Sequence, residues 1–214
     1  MTVPLEGFHA VKHALRFAPE LVTGVRVRSL DAARTLAQLM APDVSELLLA
    51  SATVAEVAHH TGVEATGKLP LRDSSVLTSR QDPLVLLDRP RSPGNAGAVI
   101  RVAAAAGASG VAVTGPLDPW HPTVVRGSAG LHYALPVLSV VAAEVHGPIV
   151  VLDADGDPEA LLPPSGVLVV GSERSGVGRD LRERADVLLA LPMRPGVSSL
   201  NLATAAAAAL YRRR

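Results

Sequence analysis

Residues 84–115 read LVLLDRPRSPGNAGAVIRVAAAAGASGVAVTG. LVLLD is a short apolar run, the pattern of a strand buried on both faces. RPRSPGN, with two prolines and a glycine, is a loop. AGAVIRVAAAAG is a helix, and GVAVTG is a second buried strand. Strand, helix and strand in this order form a βαβ unit, whose strands run parallel. Downstream the rhythm continues. PVLSVV, PIVVLDA, GVLVVG and VLLALP read as strands, VRGSAGLHYA as a helix, and LATAAAAALYRRR as an alanine-rich closing helix. The pattern predicts an α/β fold with a parallel sheet covered on both faces. Ligands in such sheets sit outside the carboxyl ends of the strands. The loops after LVLLD, VAVTG, VLVVG and LLALP are therefore the ones that matter.

Upstream, residues 1–80 read as a smaller α/β domain. FHAVKHALRF has helical spacing, with Ala10, Ala14 and Phe17 on one side. LVTGVRVRS is a strand, LDAARTLAQLM a helix and SELLLAS a buried strand. TVAEVAHH is a helix opened by Thr53 and Glu56 in capping-box spacing. The polar stretch RDSSVLTSRQDP marks the boundary to the larger domain, residues 81–214.

Aromatic residues make up only 2% of the 214, so the core must be built from Ala, Val and Leu. Nowhere do eighteen uncharged apolar residues follow one another, which excludes a helical membrane span. The start, MTVPLEGFHAVKH, lacks the apolar run of a signal peptide. Without cysteine, disulfides and thiolate chemistry are excluded. A cytoplasmic location is expected. Net charge is zero, against the basic bias usual for nucleic-acid binders. Yet 18 of the 20 basic side chains are Arg, which bonds phosphate bidentately and stacks on bases.

Three loops concentrate polar groups. In SPGNAGAVIR, Asn95 stands at a helix start, where it can cap free amides, and Arg101 follows at about 600° of rotation. In VLVVGSERSGVGRDL, a strand runs into Gly171, Glu173 follows, and Gly176 and Gly178 close the turn. In PMRPGVSSLN (192–201), Ser198, Ser199 and Asn201 crowd the mouth of the last helix. One helix cap needs one of these side chains, not three.

Together and in this order, SPGNAGAVIR, GSERSGVG and LPMRPGVSSLN resemble the three motifs of the SpoU (TrmH-type) family of SPOUT methyltransferases. RGSAGLHYALPV resembles the segment between the first two. The likeness covers residues 84–212. It implies a parallel sheet ending in a C-terminal trefoil knot, a homodimer joined through the C-terminal domain, and methyl transfer from S-adenosylmethionine to a ribose 2′-hydroxyl in RNA. Asn95, Arg101, Glu173, Ser199 and Asn201 match the family's catalytic positions. The resemblance places the cofactor against Thr114, Gly115, Gly171, Glu173, Leu191, Met193, Ser199 and Leu200, and RNA against Arg101, Arg126 and His132. It requires no metal. The closing helix, smooth with alanine, is expected to pack on a partner helix, and RRR at 212–214 to be a solvated basic tail. Ser92 and Ser198 stand where the family often has acids. Residues 1–80 resemble, more loosely, the ribosomal-protein-like substrate domain of members that act on ribosomal RNA, which favours ribosomal over transfer RNA.

Three other readings compete. The chain can be a transfer-RNA enzyme of the same family, or an RNA-binding member without catalysis. PIVVLDADGDP also resembles the phosphoaspartyl loop of haloacid-dehalogenase phosphatases, with Asp153 as nucleophile. Against the phosphatase, Asp157 replaces the usual Thr or Ser, and no lysine follows Lys68. The His9–His13 and His59–His60 pairs lack an acid or Cys companion and read as surface groups rather than metal ligands. His121, like His132, is a candidate for RNA contact, with a packing role as the competing reading.

Overall fold

The computed structural model describes residues 1–212. The first unit runs β1 (Thr2–Glu6), α1 (Phe8–Phe17), β2 (Val22–Val27), α2 (Leu30–Ala37), α3 (Pro42–Ser51), β3 (Thr53–Val54) and β4 (Val63–Lys68). Its strands lie in the order β1-β4-β2-β3, with β4 antiparallel to β1 and β2. On α1, Ala10, Val11, Ala14 and Leu15 are buried, whereas Phe17, at the helix end, is half exposed.

The structure departs from the sequence pattern in two places. SELLLAS lies in α3, not in a strand. Pro42 occupies the first helical turn, where its missing N–H costs nothing, and only Val44 and Leu48 face inward. A short apolar run cannot declare its own period, and this one was helical. TVAEVAHH is no helix. Thr53 instead pairs with Arg26 in β3, parallel to β2, and its hydroxyl donates to the Val25 carbonyl at 3.1 Å.

The second unit carries β5 (Leu84–Leu87), α4 (Pro93–Ala105), β6 (Gly110–Val113), α5 (Pro122–Gly127), β7 (Val137–Ser139), β8 (Ile149–Asp157), β9 (Val167–Val170), α6 (Arg179–Glu183), β10 (Val187–Leu189) and α7 (Leu202–Arg212). All six strands are parallel, in the order β10-β8-β9-β5-β6-β7. Every residue of β5, β6 and β9 is buried, as the uninterrupted apolar runs required. Helix α7 returns from the edge strand β10 to pack on α4, burying Leu202, Ala206, Ala209 and Leu210. The helix that packs closely on the alanine face is α4 of the same chain. Of the RRR tail, Arg212 donates to the Pro158 carbonyl; residues 213 and 214 lie outside the described residues.

The two sheets are joined through the 127–133 segment. A Cβ on Gly130 would collide with the Ala10 backbone of α1, and one on Gly67 with the Tyr133 hydroxyl. That hydroxyl donates to the Lys68 carbonyl at 3.2 Å. Close backbone approach, not flexibility, is what these glycines supply.

Candidate active site

From β5 the chain steps outward through β6 to β7, then returns to lay β9 on the other flank of β5. The point where the strand order reverses therefore lies between β5 and β9, and their carboxyl ends open into the first and second polar loops. The third loop reaches the same place because α7 packs on α4.

The first loop ends in α4, capped by Ser92, whose hydroxyl accepts from the Asn95 amide at 3.2 Å. Ser92 takes the capping role expected of Asn95, which frees the Asn95 side chain. Its Nδ2 donates to Glu173 Oε1 at 2.9 Å, and its Oδ1 accepts from Asn201 Nδ2 at 3.1 Å. Asn201 Oδ1 in turn accepts from the amides of Ala203 and Thr204, at 2.9 and 3.4 Å, and so caps α7. Glu173 Oε2 accepts from the Arg91 amide at 3.2 Å. One hydrogen-bonded chain thus joins the three loops.

Burial works to raise the Glu173 pKa, but bonds from the Asn95 side chain and from the amides of Glu173, Arg91 and Ser92 outweigh it and hold the carboxyl below its ordinary value. Glu173 is an anion at neutral pH, suited to orienting Asn95 and poorly suited to accepting a proton.

Asp88, which sequence reasoning missed, ties the strand ends together. It is 4% exposed. Oδ1 accepts from the Thr114 hydroxyl at 2.9 Å, and Oδ2 from the Gly178 amide at 2.7 Å. Arg89 donates to both oxygens. Desolvation pushes the Asp88 pKa up, yet the bonds from Arg89, Gly178 and Thr114 leave it lowered. An acid closing a buried strand at the carboxyl edge of a parallel sheet was the available signal. Nearby, a Cβ on Gly171 would strike the backbone of Gly176 and Val177, where the second loop folds back through paired Ser172 and Gly176 amides. A side chain on Gly115 would crowd Arg89.

A cleft of about 160 Å³ opens beside this chain, lined by Leu152, Leu189, Leu191, Met193, Ser199 and Leu200, among others. It is smaller than a complete small-molecule site of roughly 300–1,000 Å³. It suits one flat apolar end of a nucleoside, with the hydroxyls of Ser198 and Ser199 in the same lining. Four of the expected cofactor residues, Leu191, Met193, Ser199 and Leu200, line it; Thr114, Gly115, Gly171 and Glu173 do not.

Asn95, Glu173 and Asn201 are brought together. Arg101 is not joined to them: it is exposed, and among the described residues its side chain makes no hydrogen bond or ion pair. Its charge acts on His9 and His13 of α1. Arg126 is engaged by Glu6 at 3.3 Å. His132 cannot contact RNA, because it is fully buried between Ser128 and the Pro119 carbonyl. His121 caps α5. His13 bonds the Ala129 carbonyl at 2.8 Å. Asp153 is held by Arg182 at 3.1 Å, and among the described residues no cluster of acids, His or Cys could hold a metal ion.

The sequence profile of the SpoU rRNA Methylase family matches residues 82–211. The chain belongs to the SpoU rRNA methylase family. It is 35% identical over 173 residues, 70% of its length, to a 23S rRNA uridine 2′-O-methyltransferase of Streptomyces viridochromogenes, and spans 58% of that relative. It is 29% identical to the 23S rRNA guanosine 2′-O-methyltransferase RlmP of Bacillus subtilis, over 98% of this chain and 87% of the relative. The crystal structure of the SpoU methyltransferase AviRb from Streptomyces viridochromogenes, in complex with AdoMet, superposes with a TM-score of 0.79 at 27% identity, covering 99% of this chain and 89% of that one. The SpoU match begins just before β5 and includes all three loops, so the hydrogen-bonded chain lies within the family's shared part.

Proposed function

We propose that this SpoU member is an RNA 2′-O-ribose methyltransferase that uses S-adenosylmethionine and acts on ribosomal RNA. The observation that carries the reading is the Asn201–Asn95–Glu173 chain beside the apolar cleft at the carboxyl edge of the sheet. The residues present fit the methyl donor: an apolar slot built by Leu189, Leu191, Met193 and Leu200, with the Ser199 hydroxyl in its lining. Bound there, the donor supplies an electrophilic methyl group on a sulfonium.

A ribose hydroxyl is a weak nucleophile near neutral pH and must be oriented and polarised. Asn95, locked between Glu173 and Asn201, offers a rigid polar edge for that hydroxyl. The guanidinium of Arg101 holds its proton too tightly to act as a base. Arg101, exposed on α4, instead takes a phosphate of the bound RNA. Ser199 and Asn201 position the donor end of the reaction.

We also assign residues 1–80 to RNA substrate binding and 81–214 to methyl transfer. The path of α7 back from the edge strand to α4 supports a trefoil knot at the C-terminal end. A homodimer through the second unit is supported by half-exposed Val197, Leu200 and Tyr211. The action assigned, and the lack of any helix able to cross a membrane among the described residues, support a cytoplasmic location.

The test is isothermal titration with S-adenosylmethionine, followed by tritiated methyl transfer to purified ribosomal RNA and transfer RNA and mass spectrometry of the digested nucleosides. One cofactor site per chain and a 2′-O-methyl nucleoside from ribosomal RNA are expected. Label confined to transfer RNA would replace the substrate assignment, and cofactor binding without transfer to either would indicate a silent RNA-binding member.

A further inference from the structure

A second cleft of about 430 Å³, within the size range of ligand sites, shares no lining residue with the cofactor cleft. Its walls come from α1, the α2–α3 link and the last turn of α4. His9, Lys12, His13 and Arg16 recur on α1 at i, i+3, i+4 and i+7, which puts all four on one face; three of them line the cleft. Beside them Phe17, 50% exposed, also lines it.

Ala104 and Ala105 of α4 form the opposite wall. They follow Arg101 by three and four residues, so Arg101 stands on the same face, about one turn or 5 Å away. Desolvation, then Lys12, then Arg101 lower the His9 pKa, and Arg101 acts on His13 as well. The cleft and the unpaired guanidinium are therefore neighbours. Within this face Asp43 pairs with Arg16, but both side chains are more than half exposed. Such a pair is worth little, and a phosphate can displace the carboxylate.

A basic stripe beside an accessible aromatic ring and an apolar floor is the arrangement that binds single-stranded nucleic acid, phosphates on the cations and a base on the ring. We infer that the α1–α4 cleft takes an unstacked RNA base flanking the target nucleotide, stacked on Phe17, with Lys12 and Arg16 on its phosphates and Arg101 leading the strand to the methylation site. The inference rests on the methyltransferase reading for its direction, and its test does not need catalysis.

The experiment is fluorescence anisotropy of the full chain with a labelled 16-nucleotide mixed-sequence single-stranded RNA, over a range of salt. Phe17→Ala should weaken binding roughly fivefold or more without changing the salt slope. Phe17→Tyr, which keeps a stacking ring, should bind as the wild type does. Lys12→Ala should lower the slope by about one unit. Titration with S-adenosylmethionine should be unaffected in all three. Wild-type affinity in Phe17→Ala and Lys12→Ala, or no saturable wild-type binding up to about 100 µM, the weak end of non-specific affinity, overturns the inference. If the RNA effects appear while cofactor binding and methyl transfer are absent, the cleft stands and the enzymatic reading fails.

Discussion

The side chain of Asn201 donates to that of Asn95 at 3.1 Å across 106 residues of sequence. The direction of this bond is forced from both ends. The α7 amides can only donate, so Asn201 must turn Oδ1 to them and Nδ2 toward Asn95. Glu173, ionised, can only accept, so Asn95 must turn Nδ2 to it and Oδ1 back to Asn201. Each amide has a single orientation that satisfies its neighbours.

That polarity yields the first prediction. Asn95→Asp leaves nothing to donate to Glu173 and sets two carboxylates against each other, whereas Asn95→Ala only deletes the link. Lost positioning bonds of about 1–3 kcal/mol should lower kcat/KM roughly 10- to 100-fold in Asn95→Ala, and Asn95→Asp should fall further at pH 8 than at pH 6. Steady-state methyl transfer on both variants decides it; equal losses with no pH difference would break the argument.

Asp88→Ala strips the acceptor from Thr114, Arg89 and the Gly178 amide at once. The expected cost is about 2–4 kcal/mol of stability, read as a lowered denaturant midpoint. Asp88→Asn preserves the shape and one acceptor and should lose less. Because the folded pKa is depressed, the stabilisation from this carboxylate is present above the unfolded value of about 3.9 and disappears as pH falls through the lower folded one. The Asn variant should therefore show a shallower acid limb than the wild type.

These relationships differ in how far the sequence announces them. The runs at 84–87, 110–113 and 167–170 are apolar throughout because both sheet faces are covered, and such strands show in any window. The segment 45–60 is short and edge-like, and its true signals, Pro42 at a helix start and two residues pairing with β2, depend on partners far along the chain. Glycines and polar side chains marked the loops, while the motif likeness picked out Asn95, Glu173 and Asn201. Their mutual bonds, and the junction at Asp88, exist only once β5 and β9 lie side by side. His132 could be read either as an RNA contact or as a packing group, because nothing local to GLHYA shows Trp120 closing over it.

Gly171 has no space for a Cβ, because the second loop doubles back onto it. Gly171→Ala should push Gly176 and Val177 away and drag the Gly178 amide from Asp88. Cofactor affinity is expected to fall at least tenfold by calorimetry, with the far-UV circular dichroism spectrum retained. Wild-type affinity in this variant would mean that the turn is slack.

The last prediction concerns His132. The Pro119 carbonyl, 2.7 Å from Nε2, only accepts, so Nε2 carries the proton and Nδ1 accepts from the Ser128 hydroxyl at 2.6 Å. Burial of this neutral ring drops its pKa from 6.5 to about 4. The unfolded chain takes up a proton near pH 6.5 that the folded chain refuses until about pH 4, so the unfolded state binds more protons between those values and stability rises with pH there. Stability should be full above pH 6.5, fall by ~3 kcal/mol on the way to pH 4, and lose nothing more to this group below that. His9 and His13, also lowered, act in the same sense, so the informative quantity is a difference. His132→Gln should be less stable at pH 8 but lose less on acidification to pH 5 than the wild type, in urea titrations at both values. Parallel losses in the two proteins would show that His132 becomes charged without unfolding the site around it.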